Sequence, residues 1–198
     1  MQQKKNFIGE FLRNKKMVGS MTPSSRFLAK KMLSDIDFTT AKVIIELGPG
    51  TGVFTDRLLE LMHPDATLLI FELNEIFYSN LKHRITDKRV HLIHDSAEKL
   101  SDYLNELHFT KADVILSSLP LANFPTTLRE SILDISQRVL SDKGKFVQFQ
   151  YSLQSKNVIR SKFSKVKIDF TPLNFPPAFI YTCQRNELVL SFPQCGTK

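Results

Sequence analysis

A glycine-rich segment in the first third of the chain constrains the fold more than any other feature. The apolar β-branched residues 43–45 run into Glu46 and Leu47, and the loop Gly48-Pro49-Gly50-Thr51-Gly52 follows. Apolar residues then recur at helical spacing over 53–59. This pattern predicts a buried strand, a tight loop and the first turns of a helix. Because glycine lacks a Cβ, a ligand can approach the backbone N–H groups at the positive end of the helix dipole.

Acidic residues around this loop indicate the kind of ligand. Glu72 ends the next apolar run, 67–71, about where an acid meets ribose hydroxyls in nucleotide-binding α/β folds. A dinucleotide fingerprint requires glycine or alanine where this chain has Val53, and here Glu46 precedes Gly48 by two residues. An acid at the strand end suits a cationic ligand better than a pyrophosphate. The alternative is that the glycines only allow the chain to bend.

The pattern Glu46-x-Gly48-x-Gly50-x-Gly52 resembles motif I of the class I S-adenosylmethionine (SAM) methyltransferases. The resemblance implies SAM as cofactor and a doubly wound, Rossmann-like α/β fold, with a seven-stranded sheet whose last strand is antiparallel. The SAM-binding residues that it implies are Ser24, Ser25, Glu46, Gly48, Gly50, Gly52, Glu72, Leu73, Asp95, Ser96 and Ser117.

Asp95 has two candidate roles at the end of a third predicted strand, 90–95. In the class I methyltransferases, an acid here accepts a hydrogen bond from the adenine amino group. With Glu98 three residues on, Asp95 also matches a capping pattern for a helix over 96–107. A carboxylate can accept more than one hydrogen bond, so the two roles are compatible.

Residues 21–32 precede the glycine-rich segment and carry a helix start signal. Thr22 as N-cap with Pro23 at the first helical position predicts a helix that runs to about Leu33. The Pro-Ser-Ser-Arg run over 23–26 resembles a segment before motif I in bacterial phospholipid N-methyltransferases. That resemblance implies a loop, residues 22–25, that closes over the methionine end of SAM. A capped helix that covers the sheet edge explains the serines equally well.

The stretch 112–125 predicts a fourth strand and a loop, and ligands of open α/β sheets bind beyond the carboxyl ends of strands. Ribosomal RNA adenine dimethyltransferases carry an Asn-Leu/Ile-Pro-Tyr/Phe motif here. Its amide oxygen and a backbone carbonyl accept the amino protons of the base, and its aromatic ring stacks on the base. This chain has Ser118-Leu119-Pro120-Leu121, which lacks the asparagine and the aromatic residue. With Asn123-Phe124-Pro125, the loop instead resembles motif IV of the phospholipid N-methyltransferases.

The resemblance therefore implies methyl transfer from SAM to the amino headgroup of phosphatidylethanolamine. That amine is protonated at neutral pH, so the enzyme must align it and provide a proton acceptor. Tyr151, Asn123 and ordered water are the acceptors left open. The candidate catalytic residues are Ser118, Leu119, Pro120, Asn123 and Tyr151.

The excess positive charge lies at the N-terminus. The net charge is +7, and residues 1–31 hold eight basic residues against Glu10, which leaves the rest of the chain balanced. Residues 6–18 have the pattern of a basic amphipathic helix, which either lies in an anionic bilayer interface or docks on the domain with its charges solvated. The candidate membrane-binding residues are Lys4, Lys5, Phe7, Ile8, Phe11, Leu12, Arg13, Lys15 and Lys16.

Two further segments bear on the site. Residues 145–151 alternate like a strand with one covered and one polar face. The proline-rich, aromatic loop 171–177 could form one wall of an acyl-chain or headgroup site, or a packed cover over the sheet. The five histidines are scattered and the two cysteines lack metal-type spacing, so no metal site is predicted.

We expect a basic amphipathic arm over 1–20 and a SAM-dependent methyltransferase domain over 21–198. No apolar stretch approaches the roughly 20 residues that a spanning helix needs. The expectation is a cytoplasmic enzyme, peripherally associated with the inner face of the membrane, with an anionic membrane surface as partner and a phospholipid as substrate. One alternative is a ribosomal RNA adenine N6-methyltransferase, and nucleic acid is the less favoured partner. The other is a non-enzymatic SAM- or lipid-binding module, and the oligomeric state is left open.

Overall fold

A computed structural model describes residues 25–185 of the chain. The predicted arm over 1–20, its candidate membrane-binding residues, Thr22 and Ser24 lie outside the described residues. Within 25–185, every helix is too short or too polar to cross a membrane.

Six helices and seven strands alternate along most of the described chain. The helices are α1 (Arg26–Leu33), α2 (Val53–Leu61), α3 (Glu75–Arg84), α4 (Leu100–Glu106), α5 (Thr126–Val139) and α6 (Lys156–Lys162). The strands are β1 (Val43–Leu47), β2 (Thr67–Phe71), β3 (Val90–Ile93), β4 (Ala112–Ser117), β5 (Leu140–Gln150), β6 (Lys165–Thr171) and β7 (Ala178–Gln184). Short 3₁₀ helices cover Ala97–Lys99 and Leu121–Asn123.

The strands form one seven-stranded sheet in the order β3-β2-β1-β4-β5-β7-β6. The pairs from β3 to β5 are parallel, whereas β7 runs antiparallel to both β5 and β6. The predicted doubly wound, Rossmann-like class I methyltransferase fold is therefore confirmed, including the antiparallel last strand. The order reverses at β1 and β4, and their carboxyl ends form the crevice where such sheets bind ligands.

Helices cover both faces of the sheet because the central strands are apolar on both faces. Ile44 of β1 packs with α1 and α2, including Leu28, Phe54 and Leu58. Its neighbour Ile45 faces the other way and belongs to the cluster built with α4, α5 and α6. Each face thus has its own core, and the sheet is held as a rigid platform for the loops at its carboxyl edge.

The predicted start of this helix at Pro23 is wrong, because Ser25 is extended and is the N-cap of α1, which begins at Arg26. The Ser25 hydroxyl oxygen accepts a hydrogen bond from the Leu28 N–H at 3.1 Å. A tertiary contact fixes this start: the Ser25 N–H donates to Oδ1 of Asn174 at 2.9 Å, which holds Ser25 extended.

The capping role considered for Asp95 is also wrong. Ser96 is the N-cap of the 3₁₀ helix, and its hydroxyl accepts a hydrogen bond from the Glu98 N–H at 3.3 Å. Asp95 lies one residue earlier, where its Oδ1 accepts the Ser96 N–H at 2.7 Å. The predicted helix over 96–107 is present, with its first turn as a 3₁₀ helix.

The polar face predicted for residues 145–151 is not exposed to solvent. Gln148 is fully buried and Gln150 is 5% exposed, although both occupy the polar positions of the alternation. Their side chains are covered because the loop after β4 folds over this face and hydrogen-bonds to both amides.

Candidate active site

A partly open cavity lies at the carboxyl edge of the sheet, and about 790 Å³ of space, open solvent included, lies between its walls. The loops that follow β1, β2, β3 and β4 form its walls, together with α3 and α5. Glycines and carboxylates lie on the side of β1 and β2, whereas Phe124, Leu128 and Ile132 form an apolar wall on the side of α5. A ligand that is polar along one side and apolar along the other matches this lining.

The glycine-rich loop shapes the β1 side of the cavity. Gly48 and Gly52 have φ of +69° and +84°, a left-handed conformation that favours glycine. The Gly48 N–H donates to the Phe71 carbonyl at 2.9 Å, which fastens the loop to the end of β2. A Cβ at residue 48 would lie 2.8 Å from Cδ2 of Leu119, so the loops after β1 and β4 are in close contact.

Glu72 connects two sides of the cavity. Its Oε2 accepts the Gly50 N–H at 3.0 Å, and its Oε1 accepts the Asn74 N–H at 2.8 Å. Burial raises the pKa of Glu72, and the backbone N–H groups of Asn74 and Gly50 offset part of this rise because they stabilise the charged form. The carboxylate is therefore held in one orientation, with lone pairs left for the hydroxyl groups of a ribose.

Glu46 lies fully buried beneath the glycine-rich loop, on the side of the sheet that faces α2. Its Oε2 accepts the Thr55 hydroxyl at 2.7 Å, whereas Oε1 has no hydrogen-bond partner among the described residues. Burial raises the pKa of Glu46 to about 8, although the Thr55 hydrogen bond acts in the opposite direction. With this pKa the Glu46 carboxyl is mostly protonated at pH 7, and a cationic ligand nearby would favour its ionised form.

The far end of the cavity has the character of an adenine site. Asp95 and Ser96 line it, and the Tyr103 hydroxyl donates to Oδ2 of Asp95 at 3.3 Å. Phe71 makes an edge contact with the Tyr103 ring, with centroids 5.6 Å apart. This site can accept a hydrogen bond from an amino group beside an apolar slot.

The loop after β4 is held from beneath by two glutamines. The Leu119 carbonyl accepts hydrogen bonds from Nε2 of Gln148 at 3.0 Å and from Nε2 of Gln150 at 2.9 Å. It also accepts the Leu121 N–H at 2.8 Å. Ser118 lines the cavity, and its buried hydroxyl has no hydrogen-bond partner among the described residues. The loop therefore presents Ser118, Leu119 and Pro120 to the cavity in a fixed conformation.

Most of the candidate residues in the described chain surround this one cavity. Those that line it are Gly48, Gly50, Glu72, Leu73, Asp95, Ser96, Ser118, Leu119 and Pro120. Ser25, Glu46, Gly52, Ser117, Asn123 and Tyr151 are not among the lining residues.

Of the six residues outside the cavity wall, Asn123 ends the second 3₁₀ helix and Tyr151 directly follows β5. Glu46 lies under the glycine loop, and fully buried Ser117 accepts the Leu119 N–H at 3.4 Å. Gly52 is the N-cap of α2. The Ser25 hydroxyl donates to the Leu173 carbonyl at 2.7 Å, so Ser25 holds the loop 171–177. These residues are placed to support the cavity and its surroundings.

Sequence reasoning missed Asn74 and the apolar part of the lining. The residues not identified are Phe71, Asn74, Phe77, Ala97, Phe124, Leu128 and Ile132. Asn74 was detectable, because an asparagine directly after a predicted strand and before a helix is a typical N-cap, and its Oδ1 accepts the Ile76 and Phe77 N–H groups. Leu128 and Ile132 read as core positions of an amphipathic helix, and only the tertiary arrangement of α5 brings them to the cavity.

The buried Glu46 carboxyl predicts a pH-dependent stability. The pKa of the Glu46 carboxyl is about 8 in the folded state, above the ordinary value of 4.5. Its protonated form therefore contributes to the free energy of unfolding below pH 4.5, and this contribution is lost as the pH rises towards 8, because the unfolded chain releases the proton first. We expect the melting temperature to fall by about 5 °C more in the wild type than in Glu46→Gln between pH 6 and pH 8. Thermal denaturation followed by circular dichroism measures this difference.

The control for this experiment is Glu130→Gln, which changes an exposed glutamate of α5 and should keep the wild-type slope. Parallel melting curves for wild type and Glu46→Gln would show that Glu46 is already ionised at pH 6.

No group of three or more His, Cys, Asp or Glu side chains in residues 25–185 is arranged to hold a metal ion.

Comparisons with known proteins identify the class of enzyme. Residues 2–155 match the family model described as ribosomal RNA adenine dimethylase. A similar characterised protein is an ornithine lipid N-methyltransferase from Singulisphaera acidiphila, 28% identical over 180 residues, which cover 90% of this chain and 94% of the relative.

Similar solved structures are also methyltransferases. An rRNA methylase from Streptococcus thermophilus has a TM-score of 0.62 at 14% identity and aligns over 84% of this chain and 99% of its own. The N-methyltransferase NodS from Bradyrhizobium japonicum, in complex with S-adenosyl-L-homocysteine, has a TM-score of 0.66 at 11% identity over 82% of this chain and 87% of its own. These likenesses support the fold, and the cavity residues fit SAM as cofactor. The chain is a class I SAM-dependent methyltransferase and belongs to the ribosomal RNA adenine dimethylase family.

Proposed function

We propose that this enzyme transfers methyl groups from SAM to the primary amine of a membrane aminolipid, with phosphatidylethanolamine as the expected substrate. The observation that carries the proposal is the hydrogen bonding of the loop after β4. Its Leu119 carbonyl is already bonded to three N–H donors, from Gln148, Gln150 and Leu121.

An adenine acceptor site needs a backbone carbonyl in this loop that is free to accept an amino proton. A carbonyl oxygen has two lone pairs, and three donors already saturate that of Leu119. The asparagine of the adenine-specific motif is replaced by Ser118, whose shorter side chain carries no amide oxygen. The loop therefore lacks the amide acceptor, and its Leu119 carbonyl is not free to accept from a planar exocyclic amine.

The stacking platform for a base is missing from the same loop. Leu121 occupies the position of the aromatic residue and is fully buried in the core cluster beside α5. Without an aromatic face, a flipped base loses a stacking contribution of about 1–3 kcal/mol. These two features disfavour RNA as substrate, although the family is named for that activity.

An aliphatic amine makes smaller demands on the site. SAM supplies the electrophilic methyl group, and a deprotonated alkylamine is a strong nucleophile that needs positioning more than activation. Ser118 lines the cavity, and its buried hydroxyl, which has no hydrogen-bond partner among the described residues, would have to turn towards the cavity to accept a hydrogen bond from the amine. Burial raises the pKa of Tyr151, so its phenol stays neutral and is a poor base, which leaves Asn123 and ordered water as the proton acceptors predicted from the sequence.

The ornithine lipid N-methyltransferase supports a lipid amine as acceptor, because its name pairs a lipid substrate with N-methylation. The basic N-terminal region of the chain supports an anionic surface as partner, and each interfacial Lys or Arg adds about 1 kcal/mol to such an attraction. We therefore propose that the enzyme works peripherally at the inner face of the cytoplasmic membrane.

The test supplies purified protein with radiolabelled SAM and three separate acceptors: phosphatidylethanolamine vesicles, ornithine lipid vesicles and ribosomal RNA. We expect label in the organic phase with phosphatidylethanolamine. Label in ornithine lipid alone would still support a lipid amine as the acceptor, but the substrate would then be ornithine lipid and not phosphatidylethanolamine. Label in RNA alone would overturn the proposal, and SAM binding without any transfer would favour a binding module.

Ser118→Asn tests whether the motif residue alone specifies the substrate. We expect lipid methylation to fall about tenfold, because the larger amide crowds the site of the amine, and RNA methylation to stay absent, because the Leu119 carbonyl remains occupied. Radiolabel counting in both phases measures the two activities. Ser161→Asn is the matched control, since Ser161 is exposed on α6 and should change neither activity. A gain of RNA methylation in Ser118→Asn would contradict the argument from the carbonyl.

A further inference from the structure

Exposed apolar side chains are concentrated on three segments of the described chain. We call them the apolar rim: residues Phe27, Tyr151, Leu153, Phe170, Leu173 and Phe175. Phe175 is 82% exposed, and Phe27 and Leu173 are each 59% exposed. Single exposed apolar residues are ordinary, whereas a group of large ones indicates an interaction surface.

The strand topology places the rim at the same edge of the sheet as the cavity. β5 and β6 both run antiparallel to β7, so β5 and β6 end at the same edge. Residues 151–153 follow β5, and residues 172–177 follow β6. Because β5 is parallel to β4, this is also the edge where Leu119 and Pro120 line the cavity. The rim therefore flanks the site of methyl transfer.

Hydrogen bonds join the separate segments of the rim. The Ser25 N–H and hydroxyl donate to Oδ1 of Asn174 and to the Leu173 carbonyl, which brings the first turn of α1, with Phe27, to the loop 171–177. The Asn174 amide also lies near the Tyr151 hydroxyl, where it acts to lower the pKa of that phenol against the effect of burial. The first turn of α1 and the loop 171–177 therefore form one surface, with Tyr151 beside Asn174.

The loop 171–177 is built so that its apolar side chains point outward. Asn174 is 5% exposed, and its Nδ2 donates to the Pro176 carbonyl at 2.7 Å. Leu173 and Phe175, on either side of this buried anchor, are directed into solvent. Prolines restrict the backbone here, so the exposure of these two side chains is fixed by the fold. The loop is therefore not packed over the sheet, which was one of the two alternatives that the sequence allowed.

Positive charge accompanies the rim. Phe27, Lys30 and Lys31 share the solvent face of α1, because they are spaced three and four residues apart. Arg26 precedes them, and the strongly basic residues 1–24 join the described chain at Ser25, directly beside Leu173. Exposed aromatic and aliphatic residues beside lysines are typical of a surface that lies in a bilayer interface.

We propose that the apolar rim inserts into the interfacial region of an anionic bilayer, with Phe175 and Leu173 as the deepest side chains. This inference rests on the proposed lipid substrate and deepens it. A headgroup at the Leu119–Pro120 loop would then belong to a lipid whose acyl chains stay in the bilayer that the rim contacts. A second copy of the chain would also carry the basic segment, so like charges would oppose such a contact.

The chain contains no tryptophan, so one tryptophan can report on the rim. In full-length Phe175→Trp, we expect the emission to shift to shorter wavelength on adding vesicles of phosphatidylglycerol and phosphatidylethanolamine, and brominated acyl chains to quench it. Leu61→Trp is the matched control, since Leu61 is 37% exposed at the end of α2, at the opposite edge of the sheet, and should respond to neither. Emission from Phe175→Trp that is already blue-shifted without vesicles and unchanged by them would show that the arm or a second copy covers the rim, and would overturn the proposal.

A second variant separates docking from catalysis. Leu173→Ser with Phe175→Ser should weaken vesicle co-sedimentation about tenfold or more, because two large apolar groups no longer leave water. Methylation of a short-chain, water-soluble phosphatidylethanolamine should stay at the wild-type rate. Unchanged sedimentation with active enzyme would overturn the docking surface and leave the proposed function intact. If the wild type methylated neither the phosphatidylethanolamine in vesicles nor the short-chain form, the proposed function itself would be contradicted.

Discussion

Replacing Glu72 with glutamine should weaken SAM binding about 100-fold. Each carboxylate oxygen accepts a backbone N–H, from Gly50 at 3.0 Å and from Asn74 at 2.8 Å. A glutamine retains one acceptor, and its NH₂ group must face the other N–H donor. One hydrogen bond to a charged group is then lost and a buried donor is left unpaired, which together cost about 2–4 kcal/mol. Because Gly50 lines the cavity, its loop shifts where the cofactor binds.

Isothermal titration with SAM measures this loss, and thermal denaturation of the free protein shows how much of it comes from the fold. Glu75→Gln is the matched control: Glu75 is exposed in the first turn of α3, three residues along the chain from Glu72. We expect near wild-type affinity for this control. Wild-type affinity in Glu72→Gln would show that neither carboxylate oxygen acts at the cofactor.

The sequence was informative where signals are local. Residues 43–59 predict the β1–loop–α2 unit, because an apolar run, a group of glycines and apolar residues at helical spacing follow each other directly. Glu72 could be placed for the same reason, since it ends the neighbouring strand. Such residues need only the strand order to come together, and parallel strands bring their carboxyl ends to one edge.

Sequence reasoning failed where a residue's environment depends on distant parts of the chain. Gln148 and Gln150 alternate with apolar residues and so read as solvent-facing, yet both are buried under the Leu119 loop. The start of α1 depends on Asn174, which is 149 residues away. No local pattern contains these partners, and each pair is set only when the sheet has assembled.

These distant contacts are also the ones that bear on substrate. The family and the SAM cavity follow from the glycine loop and the sheet, which many methyltransferases share. The acceptor loop, by contrast, is fixed by two glutamines of β5, and the apolar rim by Asn174 and Ser25. Fold and cofactor can thus be predicted from motifs, whereas the acceptor is decided by loops that only the tertiary structure orders.

Gly48→Ala should lower kcat/KM by about 100-fold or more. The φ of +69° at Gly48 disfavours any side chain, and a Cβ there would lie 2.8 Å from Cδ2 of Leu119. Left-handed backbone costs an L-residue about 1–2 kcal/mol, and the clash pushes apart the loop that lines the cofactor cavity and the loop that presents the acceptor site. A shift of about 1 Å between reacting groups is enough for a loss of this size.

Steady-state methylation of a soluble short-chain aminolipid measures the effect, and Gly144→Ala provides the control. A Cβ at residue 144 would also meet neighbours at 2.9 Å, in the Leu140 side chain, but Gly144 does not line the cavity. We expect this control to lose stability and to keep its kcat/KM. Leu119→Ala in the Gly48→Ala background removes the clashing methyl and should recover part of the rate. No recovery would assign the whole loss to backbone strain, and a fully active Gly48→Ala enzyme would show that the two loops are not held together as the structure indicates.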